Sequence, residues 1–232
     1  MVDNASTDGS LELLDALHGA ALIHLIRNRR QRDHGPALTQ AISWLARRQR
    51  EVDRREQLDY VWLLDSDVIV LRPTAVCDAI RALEASGAAA VGQAAFDPWH
   101  RRRMLQPFSL LIDPAVVWRS PPPAFEEDDA PAAALQLAAE AGGLRLVGFP
   151  FVEEEYLLHL GRGTRRQIAD SGDVCNRYYE WAVDHRDYHF ASNPAGPDLY
   201  RTFGELFGAE VASRDPDALV DACRNPALLG IG

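Results

Sequence analysis

The chain has 232 residues, 47% hydrophobic and 25% charged, the balance of a soluble globular protein with enough length for one large α/β domain or two small ones. Its net charge is -10, with residues 1–120 balanced and the acidic excess in residues 121–232, which argues against a broad nucleic-acid-binding face. There are three widely spaced cysteines, Cys77, Cys175 and Cys223, so neither a disulfide framework nor a zinc knuckle is expected; with no apolar run of transmembrane length, a cytoplasmic protein is, and peripheral contact with the inner face of a membrane stays compatible.

Val2 reads as the end of a strand, and Asp3 to Ser10 as a polar turn into a helix. Ser6, Thr7, Asp8 or Ser10 can cap that helix, and Glu12 and Asp15 suit its positive end. Leu11, Leu14, Leu17, Ala21 and Leu25 recur at helical spacing and predict a helix over residues 11–30. The sequence DHGPALTQ breaks it, and Gly35 and Pro36 open a second helix whose inner stripe is Leu38, Ala41, Ile42, Leu45, Gln49 and Val52. Its outer face mixes arginines with acidic residues, a solvated pattern with pairs four residues apart.

Residues 58–73, LDYVWLLDSDVIVLRP, run apolar, acidic and apolar again before Pro73. The apolar runs around Val61 and Ile69 predict a strand buried on both faces of a sheet, interrupted by Asp65, Ser66 and Asp67. Two carboxylates at the end of such a strand are too costly to bury unpaired, so they sit at a rim or hold a cation. Ligands bind at strand ends in open α/β sheets, and an Asp-x-Asp there is oxygen-rich, suited to Mg2+ or Mn2+ and through it to a diphosphate. A solvated turn whose aspartates cap the following backbone is the alternative.

Downstream, a helix is predicted over residues 74–86, ended by Gly87, then a strand over 88–93, a loop over 96–105 and a strand over 108–112. In the loop, Asp97, Trp99 and His100 combine a flat aromatic with polar groups, which suits a sugar ring; an ordinary surface loop with one anchored Trp is the alternative. Arg101, Arg102 and Arg103 can steer an anionic ligand. FEEDD at 125–129 follows a proline run. A helix over 130–141, closed by Gly142 and Gly143, leads to a strand over 144–149. Near the end of this region, HLGRGTRR sets His159 beside a Gly-Arg loop in which backbone N–H groups can approach an anion and Arg162 or Arg165 can recognise phosphate. A helix within 168–189 and two weak helical stretches near Phe203 and Leu219 complete the chain. Helices between short strands place the protein in the α/β class, with a mostly parallel sheet flanked by helices.

VDNASTDGS at 2–10, followed by LLDSDV at 63–68, resembles the inverting glycosyltransferases of family 2. The resemblance spans residues 1–165 and implies a GT-A-like, Rossmann-type sheet. It implies metal-dependent transfer of a sugar from a nucleotide-diphosphate sugar, UDP- or dTDP-linked, to a glycan, lipid-linked or small-molecule acceptor hydroxyl. Asp3 matches the acid that contacts the nucleotide, and Asp33, with Gly35, matches a polar segment near the donor. Asp65 and Asp67 match the metal motif, with Asp67 the direct ligand. The EEDD run occupies the place of an acidic pair that opens a helix, so Asp129 or Asp128 matches the general base. An inverting transfer needs such a carboxylate within hydrogen-bond reach of the attacking hydroxyl, with a cation on the leaving side. A solvated acidic first turn is the alternative. Enzymes of this fold place a late histidine near the diphosphate or metal, which His159 matches; a packed polar side chain is its alternative. Arg162 is assigned to the donor diphosphate.

The family's first strand, its turn and its first helix have no counterpart before Met1. The expectation is therefore an N-terminally truncated domain over residues 1–165, with 166–232 as a helical extension packed on it. A chain lacking that strand is expected to fold poorly and bind the base weakly, and a start assigned too late is the expected origin. Two other functions compete. A nucleotidyltransferase would release pyrophosphate, yet no early Gly-rich phosphate loop is present. A catalytically inactive glycosyltransferase-like domain would be indifferent to changing Asp65 and Asp67 to asparagine.

Overall fold

A computed structural model describes residues 1–6, 10–30, 32, 34–52, 58–97, 100–114 and 132–159. Residues 1–32 belong to one compact unit, and the described residues from 34 onward to another. The boundary expected at residue 165 lies outside the described residues.

In the first unit, β1 (Val2–Asp3) is followed by α1 (Ser10–Gly19) and β2 (Ile26–Arg27). The two strands pair in parallel, Val2 opposite Ile26 and Asp3 opposite Arg27. The helix expected to run to residue 30 therefore stops at Gly19. Its apolar spacing continues to Leu25, but no residue of α1 is fully buried, and spacing without firm packing does not sustain a helix. The chain turns instead, with Ala21 at φ 58°, and Ile26 N–H and Asn28 N–H donate to the carbonyls of Met1 and Asp3 at 3.0 Å. An ion pair between Arg27 and Asp15 ties β2 to the helix.

The second unit holds α2 (His34–Glu51), β3 (Val61–Leu64), β4 (Val68–Val70), α3 (Ala75–Ser86), β5 (Ala90–Asp97), β6 (Arg102–Ile112), α4 (Ala133–Ala141), β7 (Leu146–Gly148) and β8 (Leu157–His159). The main sheet has the order β3-β6-β5-β7. β6 is antiparallel to both its neighbours, while β5 and β7 are parallel. Thus β3, β5 and β7 share one direction and only β6 is reversed: an α/β fold with a mostly parallel sheet, as expected. The reversal comes from a hairpin. Residues 96–105 were expected to form a loop, but β5 and β6 reach into that stretch from both sides, with Asp97 opposite Arg102. The buried Asp97 accepts the His100 N–H at 3.0 Å, which turns the chain. Three successive arginines hide the strand pattern there, because a hairpin tip in solvent has no apolar face to alternate.

Both faces of the sheet are covered, which is why its strands read as unbroken apolar runs. Successive residues alternate between two cores. Val61, Leu63, Ala90, Leu110 and Ile112 pack on one side with Ile42 of α2 and Leu135 of α4. Val91 and Leu111, with Trp62 packed alongside, join Ala79 and Leu83 of α3 and Phe151 on the other. The stop of α3 at Gly87 is as expected, with φ 60° and its N–H donating to Glu84 O.

Gly92 pairs with Leu110 of β6, next to the register shift between Gly92 and Ala94. A Cβ at Gly92 would lie 2.8 Å from Ser109 O, a backbone atom with no freedom to retreat. Gly92→Ala is expected to lower stability by about 1–3 kcal/mol, and Gly92→Val by more. Urea denaturation is the check; midpoints equal to wild type would rule out the close contact.

The stretch 58–73 departs from expectation. Its two apolar halves are not one strand: β3 lies in the main sheet, while β4 leaves it and pairs with β8 in a separate two-stranded ribbon. Val70 and Leu71 are accordingly exposed by 45% and 49%, not buried on both faces. A run of four apolar residues cannot report which sheet it joins, and the aspartates mark the point where the chain changes sheets.

Candidate functional site

The chain leaves the main sheet through one turn. Asp65 N–H donates to Phe108 O of β6 at 3.1 Å, the last tie to the sheet, and Val68 N–H donates to Asp65 O at 3.2 Å. Asp65 and Asp67 are thereby presented at the C-terminal end of β3, the end at which ligands bind in sheets of this kind. The antiparallel register of β4 and β8 puts His159 directly across from Val68, one residue from Asp67. His159 Nε2 lies 3.3 Å from Asp67 Oδ1. The imidazole also stacks on Phe108, with ring centroids 4.0 Å apart and planes 18° from parallel, so its orientation is held from the side.

One donor atom each from Asp65, Asp67 and His159 lies within 4.8 Å of the other two. Ligands of an octahedral divalent ion at about 2.1 Å stand roughly 3 Å apart when adjacent and about 4.2 Å when opposite, so the three need only tighten slightly around a shared ion. Two carboxylates with one imidazole also suit a cation of the Mn2+ or Mg2+ kind, and the nitrogen donor shifts the balance toward Mn2+. The three side chains are 23%, 23% and 27% exposed, open to an arriving ligand yet partly shielded from water. The residues present therefore fit the metal implied by the motif.

A second histidine stands next to the cluster. His34, the first residue of α2, places Nε2 3.1 Å from Asp65 Oδ1. Burial is the largest influence on its pKa and pulls it down; the Asp65 hydrogen bond and the negative charges of Asp65 and Asp67 outweigh it, and the pKa is raised overall. Sequence reading passed over His34, although it named Asp33 and Gly35 on either side. The triplet Asp-His-Gly at a helix start was the available signal, and only the fold reveals which carboxylate the ring meets.

Asp3 lies in the first unit. It is 3% exposed; Oδ1 accepts the Ser6 N–H at 3.3 Å, and Oδ2 has no hydrogen-bond partner among the described residues. A buried carboxylate oxygen without a partner is costly. Beside it, Asn4 Oδ1 accepts Arg32 N–H at 2.9 Å and Asn28 Nδ2–H at 3.3 Å, linking the turn after β1 to the segment after β2.

Of the remaining residues singled out from the sequence, Asp33, Asp128, Asp129, Trp99, Arg162 and Arg165 lie outside the described residues. Asp97 and His100 hold the hairpin turn and each other, at 3.3 Å. Arg102 pairs with Glu140, and Arg103 donates to Ala94 O. Those two guanidinium groups are engaged within the chain, so the steering role considered for the arginine run does not rest on three free charges.

A family model described as Glycosyl transferase family 2 matches residues 1–138, more than half of the chain. No protein with a curated description matches it. Among solved structures, the mannosyltransferase PcManGT from Pyrobaculum calidifontis in complex with GDP-Man and Mn2+ is similar to 98% of this chain over 70% of its own, at 16% sequence identity and a TM-score of 0.47.

Proposed function

The chain belongs to glycosyl transferase family 2, and from that premise we propose that it moves a sugar from a nucleotide-diphosphate sugar to an acceptor hydroxyl, with inversion and with a divalent cation. The observation that carries the reading is the convergence of Asp65, Asp67 and His159 at the end of β3. Those three residues would hold Mn2+ or Mg2+. When bound, such an ion neutralises the charge that builds on the departing diphosphate.

The rest of the chemistry falls to the chain's own groups. Asp3 is assigned a contact to the nucleotide through Oδ2, which has no hydrogen-bond partner among the described residues, and Asp33 is assigned a contact to the donor. Arg162 contacts the diphosphate. Asp129, or Asp128, takes the proton from the acceptor hydroxyl as its oxygen forms the new bond to the anomeric carbon and the bond from that carbon to the diphosphate oxygen breaks. The electron pair leaves with the nucleoside diphosphate. The activity is assigned to residues 1–165, at the cytoplasmic side of a membrane or in the cytoplasm, with a UDP- or dTDP-sugar as donor and a glycan, lipid-linked or small-molecule acceptor.

Thermal-shift titration with UDP, dTDP and GDP, each with and without Mn2+, tests this. One nucleotide is expected to stabilise the protein only with Mn2+ present, by about 2.7 kcal/mol at a hundred times its dissociation constant. Asp67→Asn should erase that shift. Stabilisation of the same size with the metal removed would overturn metal dependence, and no response to any of the three nucleotides would overturn the donor assignment.

A further inference from the structure

Each aspartate of the Asp-x-Asp turn meets its own histidine, and the two histidines differ. His159 contributes a donor atom to the three-residue cluster around Asp65 and Asp67. His34 meets Asp65 at Oδ1 but contributes no atom to that cluster. We propose that His34 is a positioning residue for the cation site. Its ring N–H holds one oxygen of Asp65, so that the carboxylate plane is set and the second oxygen is presented to the ion. The inference rests on the metal reading of Asp65, Asp67 and His159.

Three features support a positioning role. The backbone of Asp65 is tied to β6 through Phe108 O, so the freedom that remains is mainly rotation of its side chain, and one hydrogen bond is enough to restrict it. The ring that makes this bond stands on a rigid element: α2 has 18 residues and is anchored in the core by Ile42, which is 1% exposed. Sites held by side chains on helices and strands are more precise than sites on loops. Hydrogen bonds to ligating carboxylates are also a general device for fixing ligands, and losing one typically weakens metal affinity about 10–100-fold. The neighbouring Asp67 carries the same negative charge, so an unrestrained Asp65 would turn away from it in the absence of an ion.

The test is binding of Mn2+ alone, without nucleotide or acceptor, followed by the electron paramagnetic resonance of the free ion. Wild type, His34→Ala, His34→Gln and Asp67→Asn are compared, with thermal midpoints recorded in the absence of metal. His34→Ala is expected to raise the Mn2+ dissociation constant about 10–100-fold. Glutamine, whose amide reaches a similar distance, should restore it to within about threefold of wild type, because it supplies an N–H without an ionisable ring. Equal affinity in wild type and His34→Ala would overturn the positioning role while leaving the metal site in place. An equal loss in His34→Ala and His34→Gln, at unchanged thermal midpoints, would overturn the hydrogen bond as its means. Absence of Mn2+ binding in wild type would instead overturn the metal reading itself, and this inference with it.

Discussion

Asp67→Asn is expected to abolish measurable Mn2+ binding and to slow sugar transfer about 1,000-fold, the scale of losing a group that stabilises charge in the transition state. The substitution keeps the size of the side chain and an oxygen that can still meet His159 at the 3.3 Å contact. The difference is therefore charge: a neutral amide cannot offset a divalent ion, and the remaining pair, Asp65 and His159, offers a single anionic ligand. A steady-state comparison with saturating acceptor measures the effect. Chelating the metal from wild type should cost about as much, and chelation should add nothing to the loss already present in Asp67→Asn, because effects of groups that act as one unit do not add. If the variant retains transfer within tenfold of wild type, the metal-site assignment is wrong. The same result would favour a domain in which these aspartates are only a solvated turn.

Phe151→Ala is expected to give the largest loss of stability, about 3–5 kcal/mol, or a fall in thermal midpoint of about 10 °C. Phe151 is fully buried between the sheet and α3, with its ring stacked against Trp62 at 6.0 Å and met edge-on by Phe149 at 4.6 Å. An alanine there leaves a cavity walled by elements that cannot collapse into it, because they are tied to the sheet. The Phe151 carbonyl also accepts the N–H groups of Tyr156 and Leu157, both at 2.9 Å, which sets the start of β8 and therefore the place of His159. The loss is to be compared with a net domain stability of about 5–15 kcal/mol. Leu137→Ala, at a position 38% exposed, serves as the control and should stay within about 0.5 kcal/mol of wild type. Chemical denaturation of both variants is the measurement; similar midpoints for the two would show that Phe151 is not a keystone of this core.

The inner stripe of α2, the helix over 74–86 with its Gly87 stop and the strand that follows it were legible because each is a local pattern: apolar spacing, a cap, a residue tolerant of positive φ. The early stop of α1 was not. A helical spacing that continues past Gly19 states only what a helix could bury, and no residue of α1 itself is fully buried. The β5–β6 hairpin was missed for the opposite reason. Its tip is charged, and the turn depends on the Asp97 carboxylate folding back onto His100.

The sequence by itself determined that this is an α/β protein with an acidic Asp-x-Asp break between two apolar runs, since strand and helix periods and the cost of burying carboxylates are properties of neighbouring residues. Only the tertiary structure decided what those aspartates face. His34 lies 31 residues before Asp65, and His159 reaches Asp67 through the pairing of β4 with β8. Neither meeting is encoded in any short stretch. Both follow from register and from packing on the shared core, where a one-residue slip of β8 would turn His159 to the opposite face of the ribbon and dissolve the site.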